Sequence, residues 1–277
     1  SDEDLVKGVS VAQLITPEER IKVIEHMNDP LMVGLPNRQE YTAITKDGRT
    51  FPAAGYSSII LKAEQVAGLR VITIDMTEQQ KTRETLLNAM KSTIAAVALT
   101  TELRDPYTAG HQQRVAKLAS AIADEIGFEK DRVSGLRLSG IVHDIGKMYV
   151  PAEILSKPGR LSDIEFSLIK LHPEAGYNIL KDIEFPWPIA QTILQHHERL
   201  NGSGYPKGIK GDDILLEARI LAVADVVEAM ASHRPYRPAL GLEKAFDEIR
   251  QHKGSLFDVD VVDACLRLFT KGFTFEK

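Results

Sequence analysis

Two aspartates stand where a helical chain has most difficulty keeping a charge. Asp225 lies inside the apolar run Ile220-Leu221-Ala222-Val223-Ala224-Asp225-Val226-Val227, and Asp144 follows His143 at the end of another, Leu136 to Val142. An ionised carboxylate withdrawn from water is costly without a partner, so each needs a cap or a cation. Two such residues on two apolar helices point to a shared cation, and the fold must then bring those helices together.

The histidines support this. The chain has eight, and His111, His143, His172, His196 and His197 fall on the same half as the two aspartates. His196 and His197 are about 100° apart if helical. Both face one site only at a helix end, and Gly202 and Gly204 follow closely. His172 precedes Pro173, which breaks one helix and starts the next. Singly, each has an ordinary reading as a capping, core or helix-terminal residue, and His26, His233 and His252 are read as structural. Together, imidazole and carboxylate without thiolate suit Fe, Mn, Zn or Ni. A carboxylate bridging two ions about 3.5–4 Å apart is the arrangement for phosphoester displacement. Asp144 is the natural bridge, with His143 on one of the ions.

The chain reads as mainly α in three zones. Residues 105–277 are almost entirely helical, with helices expected near 108–127, 130–144, 162–182, 187–199, 214–231, 241–253 and 258–270. Two long connections, 145–161 and 200–213, start directly after His143-Asp144 and His196-His197, and long loops are often functional. Residues 77–104 lack Gly and Pro, and Leu87, Met90, Ile94, Val97 and Thr101 alternate in steps of three and four. They are expected to form a coiled-coil helix joining two copies as a homodimer; the plainer reading is a helix packed on its own domain. In residues 1–76, Thr16-Pro17-Glu18-Glu19-Arg20 starts a helix. Arg38 to Thr45, Phe51 to Leu61 and Leu69 to Asp75 read as strands, the first two joined by the turn Lys46-Asp47-Gly48-Arg49.

A net charge of -5 argues against general affinity for nucleic-acid polymers or anionic membranes. A phosphate-ester substrate would have to be met locally, by metals and a few Lys or Arg. No run of about 18 apolar residues occurs, so no membrane span is expected, and the acidic start lacks a signal-peptide pattern. The single cysteine, Cys265, excludes an internal disulfide and fits a reducing, cytoplasmic setting.

Seven stretches carry a resemblance. They are His143-Asp144-Ile145-Gly146-Lys147, Pro151-Ala152-Glu153-Ile154-Leu155, Lys157-Pro158-Gly159, His196-His197-Glu198-Arg199, Gly202-Ser203-Gly204-Tyr205-Pro206, Val223-Ala224-Asp225 and Arg234-Pro235-Tyr236-Arg237. In this order and spacing they closely resemble the HD-GYP domain, from about Tyr107 to Phe269. The resemblance implies an all-helical HD-type fold and a metal centre that hydrolyses the bacterial second messenger cyclic di-GMP to pGpG, with further cleavage to GMP left open. It implies one ion on His111, His143, Asp144 and Asp225 and a second on Asp144, His172, His196 and His197, Fe or Mn first, with Zn and Ni as alternatives. A water bridging the ions would attack the phosphorus. Lys147 would hold a phosphate oxygen or help protonate the leaving oxygen, Arg234 and Arg237 would clamp phosphates, Tyr205 would lie near the ligand, and Glu198 would orient a metal-bound histidine. Trinuclear members carry a Glu where Tyr107 stands, so two ions are expected rather than three. The family's usual Asp before Gly-Ser-Gly-Tyr-Pro is Asn201 here, a small change because both residues favour turns.

Lys46-Asp47-Gly48-Arg49-Thr50-Phe51-Pro52 and Gly68 to Glu78 resemble the later half of a PAS sensor. Such a sensor would be partial here, and its expected role is to control the metal domain through the 77–104 helix. Three other functional readings stay open: a weakly active module whose Gly-Tyr-Pro loop docks a GGDEF-type protein, a hydrolase of cyclic GMP-AMP, and a di-iron oxygenase. The Lys147, Arg234 and Arg237 set favours phosphate esters over an uncharged oxygenase substrate.

Overall fold

The structure, a computed structural model, describes residues 11–27, 37–62, 65–104, 110–157, 159–232 and 240–275. Tyr107, His233, Arg234 and Arg237 lie outside the described residues. The chain divides into two compact units, residues 1–89 and 90–277.

In the first unit Pro17–Met27 forms α1, opened as expected by Thr16, whose carbonyl accepts from the N–H groups of Glu19 and Arg20. Strands β1 (Asn37–Ile44), β2 (Thr50–Lys62) and β3 (Gln65–Asp75) make an antiparallel sheet in that order. Ile15, Tyr41, Ala43 and Ala53 form its small core, with Phe51 packed against it. A Cβ at Gly55 would stand 2.8 Å from the Tyr41 ring. The Tyr41 hydroxyl meets the Thr73 hydroxyl at 2.8 Å, tying β1 to β3 across β2.

Helix α2 spans Thr77–Arg104, and its start is capped by the Asp75 carboxylate on the Thr77 N–H. In the second unit Ile94 and Ala98 pack onto Leu138, Val142, Ile145, Leu180, Ile189 and Ile193. Thr101 is buried and Val97 is 43 % exposed. The expected seam is therefore split: Ile94 and Thr101 turn into their own domain, and Val97 turns outward.

The remaining helices are α3 (His111–Glu125), α4 (Lys130–Val142), α5 (Ala152–Leu155), α6 (Asp163–Ile169), α7 (His172–Leu180), α8 (Ile189–Gln195), α9 (Leu216–Ala231), α10 (Leu242–Gln251) and α11 (Val259–Thr270). The expected helix 162–182 is two helices broken at Lys170-Leu171, because Pro173 cannot donate into a preceding turn. The connection 145–161 is not structureless: Ile145–Tyr149 is a 3₁₀ turn and α5 follows Pro151.

The main core joins α3, α9, α10 and α11 through Val115, Leu118, Ile122, Ile220, Leu221, Ile249, Val261 and Cys265. Burying each Leu or Ile contributes about 1.5–3 kcal/mol. The second core, built on Leu138, Val142, Ile145, Ile189 and Ile193, joins α4 to α8. Two glycines allow close approaches between these elements. A Cβ at Gly140 would lie 2.7 Å from Ala116 Cα, so α3 and α4 touch backbone to backbone. A Cβ at Gly146 would lie 1.9 Å from the His172 carbonyl oxygen, which brings the 3₁₀ turn after Asp144 against the start of α7.

Candidate metal centre

All seven candidate ligands converge, and all but Asp225 stand at helix ends. His111 opens α3 after Gly110, whose φ of 71° is left-handed. Gly110 has no side chain to cap that end; the Glu102 carboxylate accepts from the N–H groups of Gly110 and Gln112 instead, at 3.2 and 3.3 Å. His143 closes α4, Asp144 opens the 3₁₀ turn, and His172 opens α7. His196 closes α8 and His197 follows, which is the helix end that two adjacent histidines require. Asp225 projects from the middle of α9.

The side chains fall into two sets around one carboxylate. His111, His143 and Asp225 offer ligand atoms within 4.8 Å of one another, as do His172, His196 and His197, and His143, Asp144 and His196 form a third such group. Asp144 Oδ2 lies 3.4 Å from His143 Nε2, and its Oδ1 lies 3.4 Å from His172 Nε2. Each oxygen thus serves a different set. His111 Nε2 is 3.2 Å from Asp225 Oδ1, and His143 Nε2 is 3.9 Å from the same oxygen. Ligand atoms held at about 2.1 Å by one ion are about 3.0–3.4 Å apart, so most of these spacings already fit coordination.

The tautomers fit as well. Nδ1 of His143, His172 and His196 lies 2.8, 2.8 and 2.6 Å from the carbonyls of Gly140, Ile169 and Ile193. A carbonyl only accepts, so each Nδ1 carries the proton, and in the neutral ring Nε2 keeps a bare lone pair. Among the described residues His143 Nε2 is buried without a hydrogen-bond partner. The Nε2 atoms of His172 and His196 face each other at 3.4 Å. Two lone pairs at that distance cannot hydrogen-bond; a cation between them satisfies both. Burial pushes His172 down to about 4 and His196, with His143 and His172 nearby, down to about 3. Burial also holds His197 well below the usual histidine range. These imidazoles are neutral, as ligands must be.

Asp144 and Asp225 are ionised. Burial works against the charged form, but Lys147 and the histidines around Asp144, and His111 and its neighbours around Asp225, hold both carboxyls well below the usual range. His111 differs from the other candidate ligands. Burial works against its charge, yet the bonds and charges of Asp225 and Glu228 outweigh that and raise it to about 9. Its Nδ1 bonds Glu228 Oε2, while Arg114 Nε and Ser232 Oγ donate to Glu228 Oε1 at 2.6 and 2.7 Å. Glu228 is 1 % exposed, and despite the cost of burial these donors lower it to about 2. A carboxylate behind an imidazole fixes its ring and raises its basicity as a ligand. Sequence reasoning missed Glu228. The available signal was its position three residues after Asp225, on the same helix face.

Two further expected residues, Lys147 and Tyr205, lie beside the centre. The Lys147 ammonium donates to Asp144 Oδ2 at 2.6 Å, supplying the positive charge that a buried carboxylate demands. Tyr205 is folded back by its N–H onto the His197 carbonyl at 3.2 Å, and its ring lies 4.7 Å from that of His197. Asn201 Oδ1 accepts from the Ser203 N–H at 3.0 Å, the turn bond that an Asp would also make. Glu198 corrects the expectation: its Oε1 accepts from the N–H groups of Lys207 and Gly208 at 2.7 and 3.1 Å, so it fastens the Gly-Tyr-Pro loop rather than a histidine. Those loop N–H groups need an acceptor, and His143, His172 and His196 find theirs in helix carbonyls. A cavity of about 190 Å³ opens onto His111, Asp144, Lys147, His172, His197, Tyr205 and Asp225.

Residues 97–261 match the family model described as HD domain. The chain belongs to the HD-domain family. The expected HD-type helical fold is thereby borne out. This HD domain is 38 % identical over 64 % of the chain to the cyclic di-GMP phosphodiesterase response regulator RpfG of Xanthomonas campestris, covering 47 % of that protein. It is 42 % identical over 60 % of the chain to a cyclic di-GMP phosphodiesterase of Thermotoga maritima, covering 46 % of it. The chain thus spans about half the length of these curated relatives. A cyclic GMP-AMP-specific phosphodiesterase of Vibrio cholerae shares the fold, with a TM-score of 0.51 at 16 % identity over 66 % of this chain and 49 % of that one. Among the described residues no helix is long and apolar enough to cross a membrane.

Proposed function

We propose that the chain is a metal-dependent phosphodiesterase that opens cyclic di-GMP to linear pGpG. The observation that carries this reading is Asp144, one carboxylate presenting a separate oxygen to each of two histidine sets. The substrate class is supported by the names of the relatives. His111, His143, Asp144 and Asp225 would hold one divalent ion, and Asp144, His172, His196 and His197 a second. Two ions there, Fe or Mn, would polarise the phosphate and lower the pKa of a bound water. Asp144 and Asp225 supply negative charge that would hold both ions, and the neutral imidazoles would add donors without adding charge. Glu228 orients His111. Lys147 can leave Asp144 for a phosphate oxygen once other cations neutralise that carboxylate. Arg234 and Arg237 are proposed to clamp the remaining phosphate charge, and Tyr205 to face the ligand. Homodimerisation through 77–104 and control by a partial PAS-like sensor are part of the same proposal, supported by the unbroken α2 and the three-stranded sheet before it.

The test is metal analysis of anaerobically purified protein together with incubation of the Fe- or Mn-loaded chain with cyclic di-GMP. Two equivalents of metal and formation of pGpG are expected. Absence of turnover under reducing conditions with either metal would sink the reading.

A further inference from the structure

The cavity beside the candidate ligands has a second wall of a different character. Ile154 and Leu155 from α5, Leu161, and Phe166 and Ile169 from α6 line it along with the imidazoles and carboxylates. Helix α6 has no buried residue, although it carries Ile164, Phe166 and Leu168, and Phe166 is 44 % exposed. Its position is nevertheless fixed. Ser162 and Glu165 form a reciprocal cap, and the Lys157 ammonium grips both Glu165 oxygens at 2.7 and 2.8 Å. The Lys170 ammonium lies 4.8 Å from the centre of the Phe166 ring and 5.7 Å from that of Tyr205. One cation therefore joins two aromatic rings on the rim of one cavity, and Tyr205 in turn leans on His197.

From this arrangement we infer that Phe166, with Tyr205 and Lys170, forms a nucleobase subsite next to the metal centre. The inference rests on the phosphodiester reading of the centre and adds which part of the substrate lies where. A cyclic dinucleotide has anionic phosphates and flat apolar bases. The metal wall suits the first, and the apolar wall suits only the second. An exposed aromatic ring held on a fixed helix at the cavity edge is what base stacking requires, since every base presents a π face. The Lys170 ammonium adds a charge attracted to the faces of both rings. Phe166 contributes to substrate affinity and touches none of the candidate ligands among the described contacts. Its removal therefore weakens binding without disarming the metal centre.

The experiment measures equilibrium binding of a cyclic dinucleotide carrying the fluorescent base 2-aminopurine, whose emission is quenched on stacking, to the full chain. Steady-state kinetics on cyclic di-GMP are measured alongside. Phe166→Ala is expected to weaken binding and raise KM roughly ten- to hundredfold, the loss of one base–aromatic stack. It should abolish the quenching and leave kcat within about threefold, because uniform binding is what is lost. Phe166→Trp should restore affinity and quenching; a merely structural role for this ring would not give that rescue. Unchanged affinity in Phe166→Ala, or a fall in kcat at constant KM, overturns the inference. If wild type binds the probe but hydrolyses nothing, the phosphodiesterase reading fails and the subsite is judged on binding alone. If wild type binds no cyclic dinucleotide, both fail.

Discussion

The two halves of the candidate metal centre are built on opposite principles. On the side of α7 and α8, His172 and His196 give their Nδ1 protons to backbone carbonyls and are held neutral by burial, near 4 and 3. On the side of α3 and α9, His111 lies between Asp225 and Glu228 and keeps its proton to about 9. The first half is preset in the ligand state. The second is occupied by a proton that a metal ion must displace. Both neutralise buried charge, but only one does so with a species that competes with the metal. The halves therefore need not fill together or at the same pH.

Asp144 is common to both halves, so Asp144→Asn is expected to be the most severe change. Activity on cyclic di-GMP should fall by roughly 10³-fold or more, and elemental analysis should show neither ion at full occupancy. Retention of two equivalents would remove the bridging role. His172→Ala comes next and should empty the neutral half alone. One equivalent of metal should remain, with activity reduced by roughly 10²-fold or more; loss of both ions would show that the halves are not separable. Glu228→Gln keeps the shape behind His111 and removes its charge. Metal affinity of that half should drop about 10- to 100-fold, with the other half unaffected.

The pH dependence follows from the same contrast. In the metal-free protein His111 is raised from 6.5 to about 9, so its stabilising charge is fully present below 6.5 and is lost as pH rises through about 9. Glu228 is lowered to about 2, so its share is present above its unfolded value and is lost as pH falls toward about 2. Because the two groups are one pair, their effects are one contribution. Metal uptake near pH 7.5 should release about one proton from the His111 half and none from the His172 half. Calorimetric titrations of the wild type and His172→Ala in buffers of different ionisation enthalpy read that proton directly. Equal release by both halves would erase the distinction. The smallest effect is expected from Asn201→Asp, which retains the acceptor for Ser203 and should change kcat/KM by less than about threefold.

Most of the candidate ligands were legible because they break a local rule: an aspartate in an apolar run, a histidine before proline, two histidines at a helix end; His111 breaks none and was assigned through the HD-GYP resemblance. The strands and the turn at 46–49 were legible from alternation and Gly48. Glu228 was not, since a glutamate on a helix usually faces water and only tertiary packing buries this one. The role of Glu198 was hidden for a similar reason: it depends on which loop N–H groups fold back toward α8. The seam of α2 was legible only in part, because a three-four spacing describes a face but not its partner. Ile94 and Thr101 turn that face to the same chain, while Val97 stays exposed. The break at Lys170-Leu171 was half visible, in Pro173 alone.

Gly146 has no room for a side chain. A methyl group there would lie 1.9 Å from the His172 carbonyl oxygen and 2.5 Å from the Gly176 nitrogen, both backbone atoms that cannot rotate away. In a saturation library that position should tolerate no replacement, while the neighbouring exposed positions Met148 and Tyr149 accept many. A site can therefore be lost through the one residue in it that has no chemistry, because the spacing between its reactive groups is recorded in an empty volume.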